Sequence, residues 1–219
     1  MVSCSPDLGL SFNASVFGSP RMRFSSFLVA LTVGLIASAV ICSVSSALGA
    51  ESRPNVVIIV CDDMGFSDLG CYGGEIETPN LDRLAASGLR FTDFHNNAKC
   101  SETRASILTG LWHQQSKNLK LPGHVTVAEV LREAGYRTLM SGKWHVASTP
   151  PQRGFDRYFG FLSGAINFFT GLDWQTGENL MRLDDREFQA GDGFYSTDAF
   201  TDYAIQFLDE ASGTGKPFF

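Results

Sequence analysis

Three features of the sequence predict an α/β fold, a largely parallel mixed sheet flanked by helices. The first is a continuous β-branched run from Asn55 to Cys61, which suits a strand buried on both faces. The second is the alternation of strand-like and helical segments that follows it. The third is the position of the polar residues with chemical potential. Asp62 and Asp63 directly follow the first run, and Lys143 and His145 follow a later one. In open α/β sheets, ligands bind at the carboxyl ends of strands.

Taken in order, the apolar run stops at Asp62-Asp63-Met64-Gly65 and a glycine-rich loop continues through Gly70, Gly73 and Gly74. Thr78 and Pro79 suit a cap and a first helical position, Leu81, Leu84 and Ala85 carry a helical period, and Gly88 suits a stop. Leu89 to Phe94 is short, aromatic and strand-like. Asn96 to Lys99 reads as a loop, and Ser101 to Thr109 as a helix closed by Gly110. Thr126 and Glu129 form a capping box for a helix with Val127, Val130, Leu131 and Ala134 inward. Tyr136 to Ser141 is again strand-like. Residues 155–193 are aromatic and glycine-rich with weak periodicity, and read as loops with short pieces of structure. Asp198 to Ala211 is a final helix, with Phe200, Tyr203, Ala204, Phe207 and Leu208 on one side, and Lys216 to Phe219 is the entry to another strand.

The bulk numbers narrow the class. The chain has 219 residues, a net charge of -6 and 44% hydrophobic residues, enough for a packed core and with no basic stripe for nucleic acid. Residues 1–50 form a leader. Arg21 and Arg23 precede a charge-free run from Phe24 to Ala50 that ends in small residues, as a cleaved signal peptide does. Export to the periplasm or outside the cell is expected. Contact with a membrane is expected only if the leader stays uncleaved as an anchor. Met22 makes a more ordinary start than Met1. Residues 51–219 are the domain proper. Of five cysteines, Cys4 and Cys42 lie in the leader; Cys61, Cys71 and Cys100 remain, an odd number that leaves at least one thiol unpaired or chemically used. Cys61, at the end of the apolar run, reads as a core thiol.

Three constellations carry chemistry. Asp62 and Asp63 are adjacent carboxylates whose repulsion a hard divalent cation relieves, although a solvated acidic turn has the same look. Cys100 stands at a helix N-terminus, which favours anions, with Arg104 one turn later; the planar guanidinium suits a sulfate or phosphate oxyanion. Lys143 offers a charge for an anion and His145 an acid or base. His95, His113 and His124 lack metal-ligand spacing and read as structural or surface residues. Trp112, Trp144 and Trp174 read as packing residues.

Together these segments resemble the sulfatase family of the alkaline-phosphatase-like superfamily. The matching text runs from Pro54 to Ile59 into Asp62-Asp63-Met64-Gly65, then Thr78 to Ala85. It continues with Cys100-Ser101-Glu102-Thr103-Arg104 through Gly110, then Gly135 to Thr138, Gly142-Lys143-Trp144-His145 and Arg153-Gly154-Phe155-Asp156. The resemblance implies an N-terminal portion of a sulfuric ester hydrolase. It implies that a maturation enzyme oxidises Cys100 to formylglycine, whose hydrate attacks sulfur and then expels sulfate. It implies a Ca2+ or Mg2+ ion held by Asp62, Asp63 and modified Cys100. Arg104 is implied to hold the hydrate, Lys143 to contact sulfate, and His145 to assist elimination. The substrate implied is a small-molecule or carbohydrate sulfate ester, and Ser163 is a candidate to face it.

Two departures from the family pattern bear on activity. Glu102 stands where the family has Pro or Ala, and the maturation enzyme reads that segment in extended form. Family members also continue past the position of Phe219 and take further metal and sulfate ligands from there. This chain is therefore expected to be a fragment, with a sheet incomplete at its C-terminus and an open apolar edge. The alternatives are a phosphatase or phosphodiesterase of the same superfamily, which Ser or Thr at the nucleophile position would favour, and a non-catalytic secreted remnant.

Overall fold

The computed structural model describes residues 53–116, 121 and 123–219. The leader expected at residues 1–50 lies outside them. No helix of the described residues is long and apolar enough to cross a membrane.

A four-stranded sheet in the order β1-β2-β3-β4 organises the second half: β1 Leu139–Lys143, β2 Arg157–Phe161, β3 Met181–Leu183 and β4 Arg186–Glu187. β1 and β2 are parallel, with Leu139 opposite Arg157 and Lys143 opposite Phe161. β3 and β4 add in antiparallel fashion. The sheet is thus mixed, and among the described residues its named strands include one parallel pair. β2 was not legible as a strand, because Gly160 interrupts its aromatic residues and no alternation marks a face. It is nonetheless buried along most of its length. Gly160 is required there: the β1 backbone passes so close that a Cβ at this position would lie 1.8 Å from the Gly142 carbonyl oxygen.

The helices are α1 Pro79–Ser87, α2 Cys100–Thr109, α3 Val127–Glu133 and α4 Ser196–Ser212. Their ends follow local chemistry. The Thr126 hydroxyl accepts from the Glu129 amide at 3.1 Å, and the Glu129 carboxylate accepts from the Thr126 amide at 2.7 Å, completing the expected capping box. Gly110 ends α2 in the left-handed conformation that a Cβ disfavours. Thr78 departs from expectation. Its hydroxyl accepts from the Gly70 amide and donates to Asp82, so it ties the preceding loop to α1 instead of capping the helix.

Two apolar clusters hold this frame. One gathers Ala105 and Leu108 of α2, Ala128 of α3, Trp144, Phe155 and Tyr158. The other packs Phe159 and Phe161 of β2 against Phe207, with Phe200 and Tyr203 of α4 alongside. The α4 face expected from periodicity is therefore the one buried.

The predicted first strand needs correction. Asn55 to Cys61 joins the sheet only at its start, where the Val56 amide donates to the Phe218 carbonyl at 2.9 Å. Phe218 in turn bridges in parallel to Arg137. Beyond that point Val57 and Ile59 are 65% and 69% exposed, and Cys61 is an exposed free thiol rather than a core one. A parallel strand is buried only when neighbours flank it and helices cover it. Among the described residues only 217–219 lie alongside this one. Leu89 to Phe94 likewise forms no strand and is exposed.

Arg153 joins α3 to the turn before β2. Its guanidinium pairs with Glu129 at 3.0 Å and donates to the carbonyls of Leu121 and His124. Arg153→Met is expected to destabilise the fold by about 3 kcal/mol, since it strands buried acceptors and a carboxylate together. A urea unfolding curve reads this as a lower midpoint at unchanged slope.

Candidate active site

The site begins with α2. The loop before it is held by Asn97, whose side-chain amide donates to Ser106 Oγ at 2.8 Å and to the Glu102 carbonyl at 3.3 Å. His113 Nδ1 lies 3.0 Å from the side-chain oxygen Oδ1 of Asn97. This clamp sets Cys100 as the first residue of α2. Glu102 sits in the first turn, where a negative charge meets the positive end of the helix dipole. The Ser101 hydroxyl and the Lys99 ammonium, at 2.6 and 2.9 Å, hold its carboxyl down at about 2.

β1 supplies the opposite wall. Lys143 is its last residue, and His145 follows with φ of 56°, a left-handed backbone rare for a residue with a Cβ. Such strain is held only where the surroundings over-determine it, and it clusters at functional sites. Here Trp144, buried beside Phe155, anchors the turn by donating from its indole N–H to the Ser148 carbonyl at 2.9 Å.

The two walls meet. Cys100 Sγ lies 3.3 Å from His145 Nδ1. Arg104 Nη1 donates to the Lys143 carbonyl at 2.5 Å, fixing one wall to the other. Lys143 Nζ and Arg104 Nη2 both face Asp62 Oδ2, at 2.7 and 3.6 Å. Burial alone would raise the Asp62 carboxyl, but the Lys143 hydrogen bond and the charges of Lys143 and Arg104 hold it below the usual carboxylate range. Arg104 Nε is buried with no hydrogen-bond partner among the described residues. The structure therefore brings together Cys100, Arg104, Lys143, His145 and Asp62. Asp63 is exposed with φ of 56° and makes no hydrogen bond or ion pair among the described residues. The Ser163 hydroxyl donates to the Ala165 carbonyl at 3.3 Å, and among the described residues no hydrogen bond ties it to this cluster.

Among the described residues no group of three or more His, Cys, Asp or Glu side chains converges as a metal cage. Two aspartates offer at most about four carboxylate oxygens, and calcium takes about six to eight. The described residues alone do not fit a calcium ion, and one of the Asp62 oxygens is already engaged by two cations.

Burial, then the Lys143 and Arg104 charges, push the His145 imidazole below its ordinary range. It is neutral at pH 7, and its protonation is easier in the unfolded chain. The stability it contributes is fully present above the unfolded value, about 6.5, and is lost as pH falls through the lower folded value. An NMR titration should place its midpoint below that of a model imidazole, and Lys143→Met should raise it.

Two signals escaped the sequence. The ion pairing of Asp62 with Lys143 and Arg104 depends on strand placement, not spacing. Gly164 lies against the His145 ring, and a Cβ there would sit 3.0 Å from Cε1 and Nε2.

The sulfatase family model matches residues 54–219, a stretch that includes all of these side chains. The chain belongs to the sulfatase family. An arylsulfatase of Klebsiella aerogenes is 35% identical over 175 residues, which cover 68% of this chain and 38% of that protein. Human arylsulfatase A is 42% identical over 163 residues, covering 65% of this chain and 29% of that one. Among solved structures, Ps i-CgsB in complex with k-i-k-neocarrahexaose aligns with a TM-score of 0.67 at 32% identity, over 77% of this chain and 44% of that one. BT4656 in complex with its substrate D-glucosamine-2-N,6-O-disulfate aligns with a TM-score of 0.59 at 35% identity, over 76% and 33%. This sulfatase chain thus spans less than half the length of these relatives. Its expected alkaline-phosphatase-like α/β fold, mixed sheet and flanking helices agree with the sulfatase structures.

Proposed function

We propose that the polypeptide containing this chain hydrolyses a sulfate ester, and that its substrate is a carbohydrate sulfate. The observation that carries the reading is the approach of Cys100 Sγ to His145 Nδ1, 3.3 Å, on the side of the site where Lys143 and Arg104 converge on one oxygen. That Asp62 oxygen marks a point where an oxyanion meets two cations at once. Such placed charges stabilise negative oxygens far better in a sheltered site than in water. The sugars bound by two of the solved relatives, a neocarrahexaose and a glucosamine disulfate, support the carbohydrate class.

Formylglycine at position 100 would supply a hydrated aldehyde as nucleophile, a hydroxyl that a plain serine cannot regenerate after transfer. This chain's own residues have defined parts. Arg104 and Lys143 hold sulfate oxygens. The neutral His145 moves a proton at the oxygen or sulfur carried by residue 100. Asp62, Asp63 and residue 100 would supply the acidic part of the site for a Ca2+ or Mg2+ ion, which the described residues alone do not complete. A maturation enzyme acts on Cys100 before α2 forms, because α2 holds that residue helical. The leader directs export.

The test is a pair of assays on the full-length protein. Sulfate release from a sugar sulfate should exceed phosphate release from the matching sugar phosphate by orders of magnitude. The reverse ratio would place the chain with the phosphatases. Mass analysis of the tryptic Cys100 peptide should show formylglycine, and an unmodified thiol throughout would favour a non-catalytic remnant.

A further inference from the structure

We propose that the hairpin of residues 163–174 is a saccharide-binding rim. Its exposed aromatic side chains would stack on the sugar rings next to the sulfated one. The inference rests on the sulfate-ester reading above and adds a place for the rest of the substrate.

The hairpin starts at the reacting groups. Gly164 covers one face of the His145 ring, as the 3.0 Å approach of a Cβ there shows. The chain then doubles back on itself. Ile166 pairs with Asp173, the Asn167 amide donates to Leu172 at 2.8 Å, and the Trp174 amide donates to Ala165 at 3.1 Å. Trp174 is therefore seated across from the neighbour of the glycine that touches His145. From there the hairpin extends about 10 Å to its tip. At the tip Phe169 lies 5.5 Å from Tyr195 between ring centres, and the Ser196 amide binds the Phe168 carbonyl, tying the tip to the start of α4.

The scaffold is stiff and its aromatics are wet. Asp173 accepts from the Gln175 and Thr176 amides and from the Thr176 hydroxyl, at 3.0, 2.8 and 3.0 Å. Asn167 accepts from the Phe169 and Thr170 amides. Yet Trp174, Phe168 and Phe169 are 72%, 57% and 67% exposed. Large apolar side chains exposed on a fixed backbone that starts against the His145 ring suit a binding surface beside the reacting groups. Several rings spread along a hairpin suit a chain of pyranoses, whose C–H faces lie flat on aromatic rings. A lone aryl group would need only one of them. The cations Arg104 and Lys143 at the inner end suit the sulfate.

Trp174→Ala, Trp174→Phe and Phe169→Ala in the full-length protein test this by calorimetry. The probes are inorganic sulfate and tetrasaccharides of galactan, fucan and glycosaminoglycan type, each in sulfated and desulfated form. The wild type is expected to bind at least one tetrasaccharide. Trp174→Ala should weaken that binding about tenfold, and Trp174→Phe should restore most of it. Sulfate affinity and melting temperature should stay unchanged. Unchanged tetrasaccharide affinity in Trp174→Ala overturns the rim, as does binding of no tetrasaccharide, or equal loss of sulfate and sugar. Tetrasaccharide binding that depends on Trp174 but not on the sulfate group would leave the rim standing and remove the sulfate-ester reading instead.

Discussion

Cys100→Ala is expected to lower sulfate release by the full-length protein by about 10^4-fold or more, with folding unaffected. Removing a nucleophile from a site whose parts act as a unit costs nearly all the acceleration that site provides. The remaining groups, Arg104, Lys143 and His145, bind and polarise but have nothing to transfer the sulfuryl group to. Cys100→Ser separates the two demands on the position. A serine hydroxyl attacks once and holds a stable ester, so a burst of at most one equivalent is expected, followed by silence. Lys143→Ala should be milder, about 10^2- to 10^3-fold, as for other single donors to an oxyanion. Ion chromatography of released sulfate measures Cys100→Ala and Lys143→Ala; the Cys100→Ser burst is read in the desulfated alcohol, because its sulfuryl group stays on the serine. Steady turnover by Cys100→Ala would remove Cys100 from the reaction altogether.

Gly160→Ala should have the largest effect on the fold, and it reaches the site as well. The added Cβ would lie 1.8 Å from the Gly142 carbonyl oxygen and 2.7 Å from its carbon, both backbone atoms of the paired strand. Neither can swing away as a flexible side chain does, so β1 must part from β2. A loss of about 3 kcal/mol or more is expected, at the upper end for overpacking. Gly142 directly precedes Lys143, whose carbonyl receives the Arg104 guanidinium. Parting the strands therefore also moves the two cations relative to Cys100. Gly191→Ala is the control: nothing lies within 4 Å of a Cβ there, and a change within about 0.5 kcal/mol is expected. Urea midpoints distinguish the two variants. Equal midpoints would mean that the β1–β2 approach is looser than described.

Much of this architecture was legible in short stretches of sequence. The capping box at Thr126, the glycine that ends α2 and the inward face of α4 are set by contacts within a few residues. They read the same in any fold that contains them. The aromatic strand β2 was illegible for the opposite reason. It has no alternation and no β-branched run, and only its burial between β1 and β3 makes it a strand. The run from Asn55 to Cys61 failed in the other direction. Its composition promises burial, but burial needs neighbours, and beyond residue 56 no described strand pairs with it.

The candidate site divides along the same line. Sequence by itself determined which chemical groups are present and in what order, and through their order the family to which the chain belongs. It placed Cys100 at a helix start and Lys143 at a strand end, because capping and strand termination are local. Tertiary structure decided that Cys100 meets His145 across 45 positions of sequence, that Asp62 is clasped by Lys143 and Arg104, and that Gly164 roofs the imidazole. These are consequences of strand register and of the left-handed turn at His145. They depend on the packing of Trp144 and on the close passage of Gly142 by Gly160, which no single segment encodes.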